Sequence, residues 1–445
     1  MKKNIIKWGL AILIGVASVS CIKNEPLDIA GSYTDKLTKE AKEKEAKEKE
    51  AQTKADEENN KAWEAYYKML REYKQKAWKG EKPFTYFFYS GWAAVEGIDK
   101  SWLQALPDTL TAVSIWGGYA KEPQELTENQ IYDLEMFHHK GGTVFTCYQV
   151  SNVGLGLPGG LHLFEQKYGR EKTAEKETER AKIYARDLAR HIIALNFDGF
   201  DIDWEPTVGN HGRSGYAEFA STSDKPRNGY HANMITFIKE LGKYFGTKYS
   251  GEERKQHLRN LFDENFDGYH PQEKDFINKY KPYFEKHNSE NKKFYLIFDG
   301  EFFTMTEEMD SYFDKYIMQD YGRTDNIEKY LREQNAGNEY PSYYPPITKA
   351  SSTAEFEQGS YRDIIKKAKV YKTKNGGISA YKGELDMATN IDDVDFANYM
   401  RENNIQGRKY QRFAWFREAI RITDPRSSDD YKDFKEQLII RLPKK

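Results

Sequence analysis

The sequence predicts an α/β protein, a (β/α)8 TIM barrel preceded by a charged N-terminal segment, and three observations carry the prediction. About eight short strand-like runs follow Pro83. Helical segments separate most of them, which is the arrangement of a parallel sheet covered by helices. On the fourth run, acidic residues recur at every second position, so that one wall of a strand is acidic and the other apolar. The 445 residues are ample for such a barrel, which takes roughly 250 residues or more as a single unit.

Taken from the N-terminus, Lys2, Lys3 and Lys7 precede an apolar run, Trp8 to Val16, too short to span a bilayer. Small residues then lead to Ser18-Val19-Ser20-Cys21. This pattern resembles a bacterial lipoprotein signal, residues 1–20, with Cys21 as the lipidated first residue; an ordinary secretory signal with an incidental cysteine is the other reading. After cleavage Cys147 has no second intrachain thiol except that of Cys21, so no disulfide framework is expected. Cys147 sits in the apolar run Val144-Phe-Thr-Cys-Tyr and reads as a small buried residue.

Residues 21–80 change composition sharply. The near-repeat Lys39-Glu-Ala-Lys-Glu-Lys-Glu-Ala-Lys-Glu-Lys-Glu has no large apolar residue nearby, the first after Leu37 being Trp63. Such a segment buries no core and forms a solvated helix, or helix mixed with coil, that holds the rest away from a membrane. Trp63, Tyr66, Tyr67, Leu70 and Tyr73 then follow helical spacing and suggest a docking helix.

Residues 81–430 are assigned to the barrel. Its strands are expected within Phe84–Trp92, Leu110–Gly118, Gly142–Val150, Phe197–Glu205, Phe294–Phe302, Tyr316–Gly322, Ile347–Phe356 and Gly377–Leu385. Ala181, Tyr184, Ala185, Leu188 and Ile192 form one helical face before the fourth strand, and Tyr361, Ile364, Ile365 and Ala368 another before the eighth. A last helix containing Tyr410, Phe413, Ala414, Phe416, Arg417 and Ile420 ends near Pro425. The interval from about 206 to 291 is longer than a barrel helix needs, and it reads as an insertion beside the active face. Residues 431–445 form a tail.

The 68 basic and 70 acidic residues nearly cancel, so nothing in the charge argues for a nucleic-acid partner. Tyrosine, phenylalanine and tryptophan number 32, 25 and 8, and their flat rings suit both core packing and stacking on sugars.

On the fourth strand, Asp201, Asp203 and Glu205 fall two apart and share a face, while Phe200, Ile202 and Trp204 take the other. Crowded acids raise at least one pKa, which is how a carboxylic acid near neutral pH keeps a proton to donate. Only Glu205, at the strand's C-terminal end, reaches fully onto the active face. A calcium loop is the competing reading of Asp-x-Asp spacing. It fits poorly, because calcium loops use glycine, asparagine and flexible polar spacers, whereas these spacers are Phe, Ile and Trp.

Asp198-Gly-Phe-Asp201-Ile-Asp203-Trp-Glu205 matches D-x-x-D-x-D-x-E, and on these residues the chain resembles glycoside hydrolase family 18. The resemblance implies that Glu205 protonates the glycosidic oxygen and that Asp203 orients the substrate's 2-acetamido group, whose carbonyl oxygen attacks the anomeric carbon. It implies further that Asp201 hydrogen-bonds Asp203 and shares its proton, that Asp198 is structural, and that neither cofactor nor metal is needed. Tyr316-Ile-Met-Gln319-Asp-Tyr321-Gly322 is similar to the strand of endo-β-N-acetylglucosaminidases that presents a glutamine and a tyrosine to the acetamido group; a buried tyrosine satisfied by the backbone is the other reading of Tyr321. Trp116, Trp92 and Tyr381, at or near strand ends, are read either as sugar-binding rings or as core. The third strand has Lys140-Gly-Gly-Thr-Val-Phe-Thr where chitinases carry Ser-x-Gly-Gly, a departure that counts against a chitinase. The whole chain looks like family 18 surface lipoproteins of Bacteroidetes. That likeness implies a hydrolase of N-acetylglucosamine-containing glycans, anchored through Cys21 at the outer membrane or cell surface, with a chitinase-like enzyme or a non-catalytic glycan binder as alternatives.

Overall fold

The computed structural model describes residues 29–117, 119–171, 173–205, 232–300, 307–322, 346–372, 376–408 and 410–424. The signal segment, Cys21, Asn375, Pro425 and the tail lie outside them. The chain divides into two units, the first ending at Ala65 and the second beginning at Tyr66. In the first, the residues from Ile29 onward belong to helix α1 (Ile29–Trp78). Its Ala, Glu and Lys are strong helix formers, and Glu40, Glu43 and Glu45 each precede a lysine by four residues.

In the second unit, strands β1 (Phe84–Tyr89), β2 (Ala112–Trp116), β3 (Thr143–Gln149), β4 (Gly199–Trp204), β5 (Tyr295–Gly300), β6 (Lys315–Met318), β7 (Ala350–Glu355) and β8 (Gly377–Tyr381) pair in chain order. All pairs are parallel, and β8 closes on β1. Each of the eight expected runs holds one strand. Tyr66, Tyr67, Leu70 and Tyr73 of α1 are buried in this unit. Tyr66 donates to Asp108 at 2.7 Å, and the Lys140 ammonium meets the other oxygen of Asp108 at 2.8 Å. At the end of α1 the Trp78 ring stacks on Tyr295 at 4.0 Å and lies 4.7 Å from Phe84. Tyr295 and Phe84 begin their strands, so Trp78 closes the N-terminal end of the barrel.

Inside, Phe84, Tyr86, Phe88, Ala112, Phe145, Cys147, Ile297 and Ile317 form one packed cluster. Outside, Phe200, Ile202 and Trp204 join Tyr184, Leu188 and Ile192 of the helix α4 (Ala174–Ala194) in the larger core between sheet and helices. The barrel is thus solid below and opens only at the C-terminal ends of its strands. The seam between β4 and β5 is tight. A Cβ on Gly199 would come within 2.1 Å of the Tyr295 carbonyl oxygen, and one on Gly300, at φ +103°, within 2.3 Å of that of Trp204. Glycine at both ends of the seam lets the two strands run close together.

Two expectations are corrected. The described part of the long interval, 232–291, is not beside the active face. Its helices α5 (Ala232–Leu241), α6 (Gly251–Leu261) and α7 (Lys274–Lys286) continue on the barrel's flank, where α5 and α7 pack against α4. Residues 206–231 lie outside the described residues. The last helix begins only at Ala414 and runs to Thr423, with Tyr410 and Phe413 ahead of it. Phe413 adopts a left-handed backbone (φ 54°), and the buried Asp386 carboxylate accepts from the amide of Phe416 at 2.8 Å, capping the first turn.

Candidate active site at the mouth of the barrel

The alternation of β4 places Asp201, Asp203 and Glu205 at successive heights inside the barrel. Asp201 is deepest and fully buried, Asp203 is nearly so, and Glu205 follows the last strand residue at the rim with 9% of its surface exposed. No lysine or arginine among the described residues pairs with any of the three. For Asp201 and Asp203, burial is the largest influence. It pushes the Asp201 carboxyl up to about 7, with hydrogen bonds from Tyr86 and Cys147 pulling the other way. Asp203 is raised well above the usual carboxylate range, by burial first and then by the charge of Glu205.

The partners differ from those expected. The Asp201 hydrogen bond goes to the Tyr86 hydroxyl and not to Asp203, and its other oxygen has no hydrogen-bond partner. Asp203 faces Asp299, its register partner on β5. The Gln319 amide, just beyond β6, donates to both, at 3.4 Å to Asp203 and 3.2 Å to Asp299. Asp299 is itself raised well above the usual range by burial, then by the charges of Asp203 and Asp201. Beside β4, Gln149 at the end of β3 donates to Glu205 Oε2 at 2.9 Å and leaves Oε1 to carry or release a proton.

Asp299, Gln149 and Tyr86 were not among the sequence candidates. Asp299 and Gln149 each follow a small or apolar inward residue by two, Ile297 and Cys147, and strand alternation alone would have turned them inward. Tyr86 lies in Phe84-Thr-Tyr-Phe-Phe-Tyr, where aromatics occupy both faces and erase the contrast.

The candidate rings separate into two groups. Trp116, 40% exposed at the end of β2, meets the Tyr381 ring edge-on at 5.5 Å, and Tyr381 lies 6.1 Å from the ring of Tyr321. These three form an aromatic row along one side of the opening. Burial and the neighbouring Asp299 and Asp203 push the Tyr321 phenol far up, so it stays a hydrogen-bond donor. Trp92 is corrected to core. It is buried outside the barrel against Tyr119 and Phe197, and its indole N–H is spent on Asp133 at 2.9 Å. Asp198 lies at the opposite end, where it accepts from the Val144 amide at 2.7 Å and meets the His138 ring at 2.8 Å.

Cys147, Asp201 and Asp299 bring a thiol and two carboxylates within 4.8 Å of one another, close enough to share a metal ion. All of their donor atoms but one oxygen of Asp201 have protein partners. Asp201 accepts from Tyr86, and Asp299 accepts from Gln319 and, at 3.7 Å, from the Cys147 thiol. The arrangement is a nest of buried, hydrogen-bonded acids, raised by burial, leading up to one rim carboxyl, which suits proton transfer to a leaving oxygen.

The family model described as glycoside hydrolase family 18, BT1044-like, matches residues 43–259, a span that includes the acids of β4. Over that span the chain matches glycoside hydrolase family 18. Among solved structures, a selenomethionine form of a glutamate-to-glutamine variant of BT1044 is 20% identical over 81% of this chain and 92% of that one, with a TM-score of 0.52. At this identity the match supports the barrel fold alone. An endo-β-N-acetylglucosaminidase from Cordyceps militaris in its apo form is 15% identical over 81% of this chain and 95% of its own, at a TM-score of 0.40. A doubly substituted form of the same enzyme, in complex with fucosyl-N-acetylglucosamine-Asn, is 13% identical over 80% and 95%, also at 0.40. No curated protein matches the sequence. The residues matched by the family model include the whole acidic face of β4, Asp201, Asp203 and Glu205.

Proposed function

We propose that this protein is a family 18 endo-β-N-acetylglucosaminidase. It cuts the GlcNAc-β-1,4-GlcNAc core bond of N-glycans with retention, the substrate's acetamido oxygen serving as nucleophile. The observation that carries the reading is the convergence at the rim of Glu205, Asp203 and Gln319 with the Tyr321 phenol close by. Glu205 gives its proton to the leaving oxygen. Asp203 accepts from the acetamido N–H, and Tyr321 donates to the acetamido carbonyl, which aims that oxygen at the anomeric carbon. Trp116 and Tyr381 offer ring faces to the sugars beside the cut. The lipoprotein-like segment ending at Cys21 supports the further proposal of a lipid-anchored enzyme at the outer membrane or cell surface.

Purified mature protein incubated with high-mannose and complex glycoproteins should release glycans, seen by mass spectrometry as a single N-acetylglucosamine left on asparagine. Unchanged glycan masses across the panel defeat the reading, and release of chitobiose from chitin oligomers without action on glycoproteins transfers it to a chitinase. Glu205→Gln keeps size and shape but has no acidic proton. It should lower turnover by about 10²- to 10⁴-fold while leaving glycan affinity largely intact. Undiminished turnover would take Glu205 out of the role, and micromolar binding without cleavage by the unsubstituted protein would make it a glycan-binding protein.

A further inference from the structure

Asp203 needs to meet the acetamido N–H as an acceptor, yet it is buried among acids, and its proton must go somewhere when the substrate arrives. Asp201 is poorly placed to take it, because its bonded oxygen is held by Tyr86 and the two share no hydrogen bond. Asp299 is well placed. It sits opposite Asp203 in the β4–β5 register, the seam is kept narrow by Gly199 and Gly300, and Gln319 holds one oxygen of each acid with the same amide. The other oxygen of Asp299 accepts from the weak thiol donor of Cys147 at 3.7 Å. Among the described residues, the ionisable groups facing Asp299 are Cys147 from β3, Asp201, Asp203 and Glu205 from β4, and Tyr321 beyond β6. None of them is a cation.

We propose that Asp299 is a positioning residue that takes the proton from Asp203, so that Asp203 meets the acetamido group as a carboxylate; this rests on the hydrolase reading above. The O–H bond on Asp203 breaks as one forms on Asp299, the pair keeps a single negative charge, and the new O–H donates back to Asp203. Two like carboxyls facing each other across a register pair and sharing one amide hold a proton between them, and burial strengthens the preference.

The test uses the mature protein and two substitutions. Asp299→Asn imitates the protonated carboxyl, a neutral group with a donor, and should keep kcat within about threefold. Asp299→Leu removes the donor at similar volume and should lower kcat about 10- to 100-fold with a smaller change in KM. Infrared difference spectra across roughly pH 4 to 9 read the proton itself. The unsubstituted protein should show a carboxylic-acid C=O component at neutrality, beyond that of Asp201 and Glu205, that is missing from Asp299→Asn. An identical band in both proteins overturns the proposal, as does Asp299→Leu with the parent's kcat, or Asp299→Asn as impaired as Asp299→Leu. If the unsubstituted protein hydrolyses no glycan but the band difference is present, the hydrolase reading fails while the shared proton stands.

Discussion

Two clusters of buried acids lie about the same strand and its preceding helix, one on the flank of the barrel and one in its mouth. On the flank, Arg186 of α4 grips Glu273 with both its Nε and Nη2, at 2.8 and 2.6 Å, and reaches Glu240 at 3.3 Å. Arg190 bridges Asp187 and Glu273, both at 2.7 Å. In the mouth, the side-chain partners of Asp201, Asp203, Asp299 and Glu205 among the described residues are tyrosine, glutamine and cysteine, with no cation. The same desolvation acts on both, with opposite results. Burial alone would raise Glu273, but the hydrogen bonds and charges of Arg186 and Arg190 outweigh it and the carboxyl is held low. Asp187, with one arginine, stays raised because burial wins. Asp203 and Asp299, with no cation, rise well above the usual range. Glu273, gripped by two arginines, fastens α4 to the start of α7 as a carboxylate, whereas acids without a cation are costly to bury and are the ones that can hold and pass protons.

The comparison is broken most directly by neutralising one acid from each cluster. Glu273→Gln leaves two buried guanidiniums short of a counter-charge, and removing one partner of a buried ion pair costs about 3–5 kcal/mol. Urea unfolding should show that loss, while kcat of the folded protein stays at the parent value. Glu205→Gln should do the reverse, with little change in unfolding midpoint and loss of turnover. If Glu273→Gln unfolds at the parent's urea concentration, the flank cluster is not the fastener described.

A smaller effect concerns pH. In the folded protein Asp201 titrates near 7, above the ordinary carboxylate value of roughly 4. The folded state therefore holds a proton that the unfolded chain has released between those values. The stability this brings is complete below about pH 4 and is lost as pH rises through 7. Asp201→Asn still accepts from Tyr86 and has nothing to titrate. Relative to the parent it should gain on the order of 2–4 kcal/mol between about pH 4 and 8. Thermal midpoints that run parallel for the two proteins over that range would show that Asp201 carries no such proton.

How much of this was legible in the sequence differs between the two clusters for a physical reason. In the mouth, strand alternation exposes the pattern, since Asp201, Asp203 and Glu205 stand out against Phe200, Ile202 and Trp204. Asp299 escaped because it is a single acid in Tyr-Leu-Ile-Phe-Asp-Gly, with no second acid to mark the period. On the flank, the apolar stripe of α4 was readable from Ala181, Tyr184, Ala185, Leu188 and Ile192. Arg186, Asp187 and Arg190 looked like its solvated side. They are buried because α5 and α7 cover that side as well, and a covering layer from residues 50 to 90 positions later leaves no periodic trace. The same holds for Trp92, whose place at a strand end looked like Trp116's until the loop containing Tyr119 covered it.

Those two tryptophans give the smallest effects and the finest version of the contrast. Trp92 resembles the flank acids in having its polar atom satisfied, since its indole N–H and the amides of Leu103 and Gln104 all point at Asp133. Trp92→Phe keeps the ring and removes one donor from a buried carboxylate that has two others. It should cost about 1–2 kcal/mol in unfolding and leave KM unchanged. Trp116 resembles the mouth acids, 40% exposed and set nearly perpendicular to the Tyr381 ring. Trp116→Ala should leave the unfolding midpoint near the parent's and raise KM for the glycan about three- to tenfold, the worth of one stacked ring. A KM that rises in Trp92→Phe and stays put in Trp116→Ala would reverse the assignment, because the ring that binds sugar must be the one whose face the protein has left uncovered.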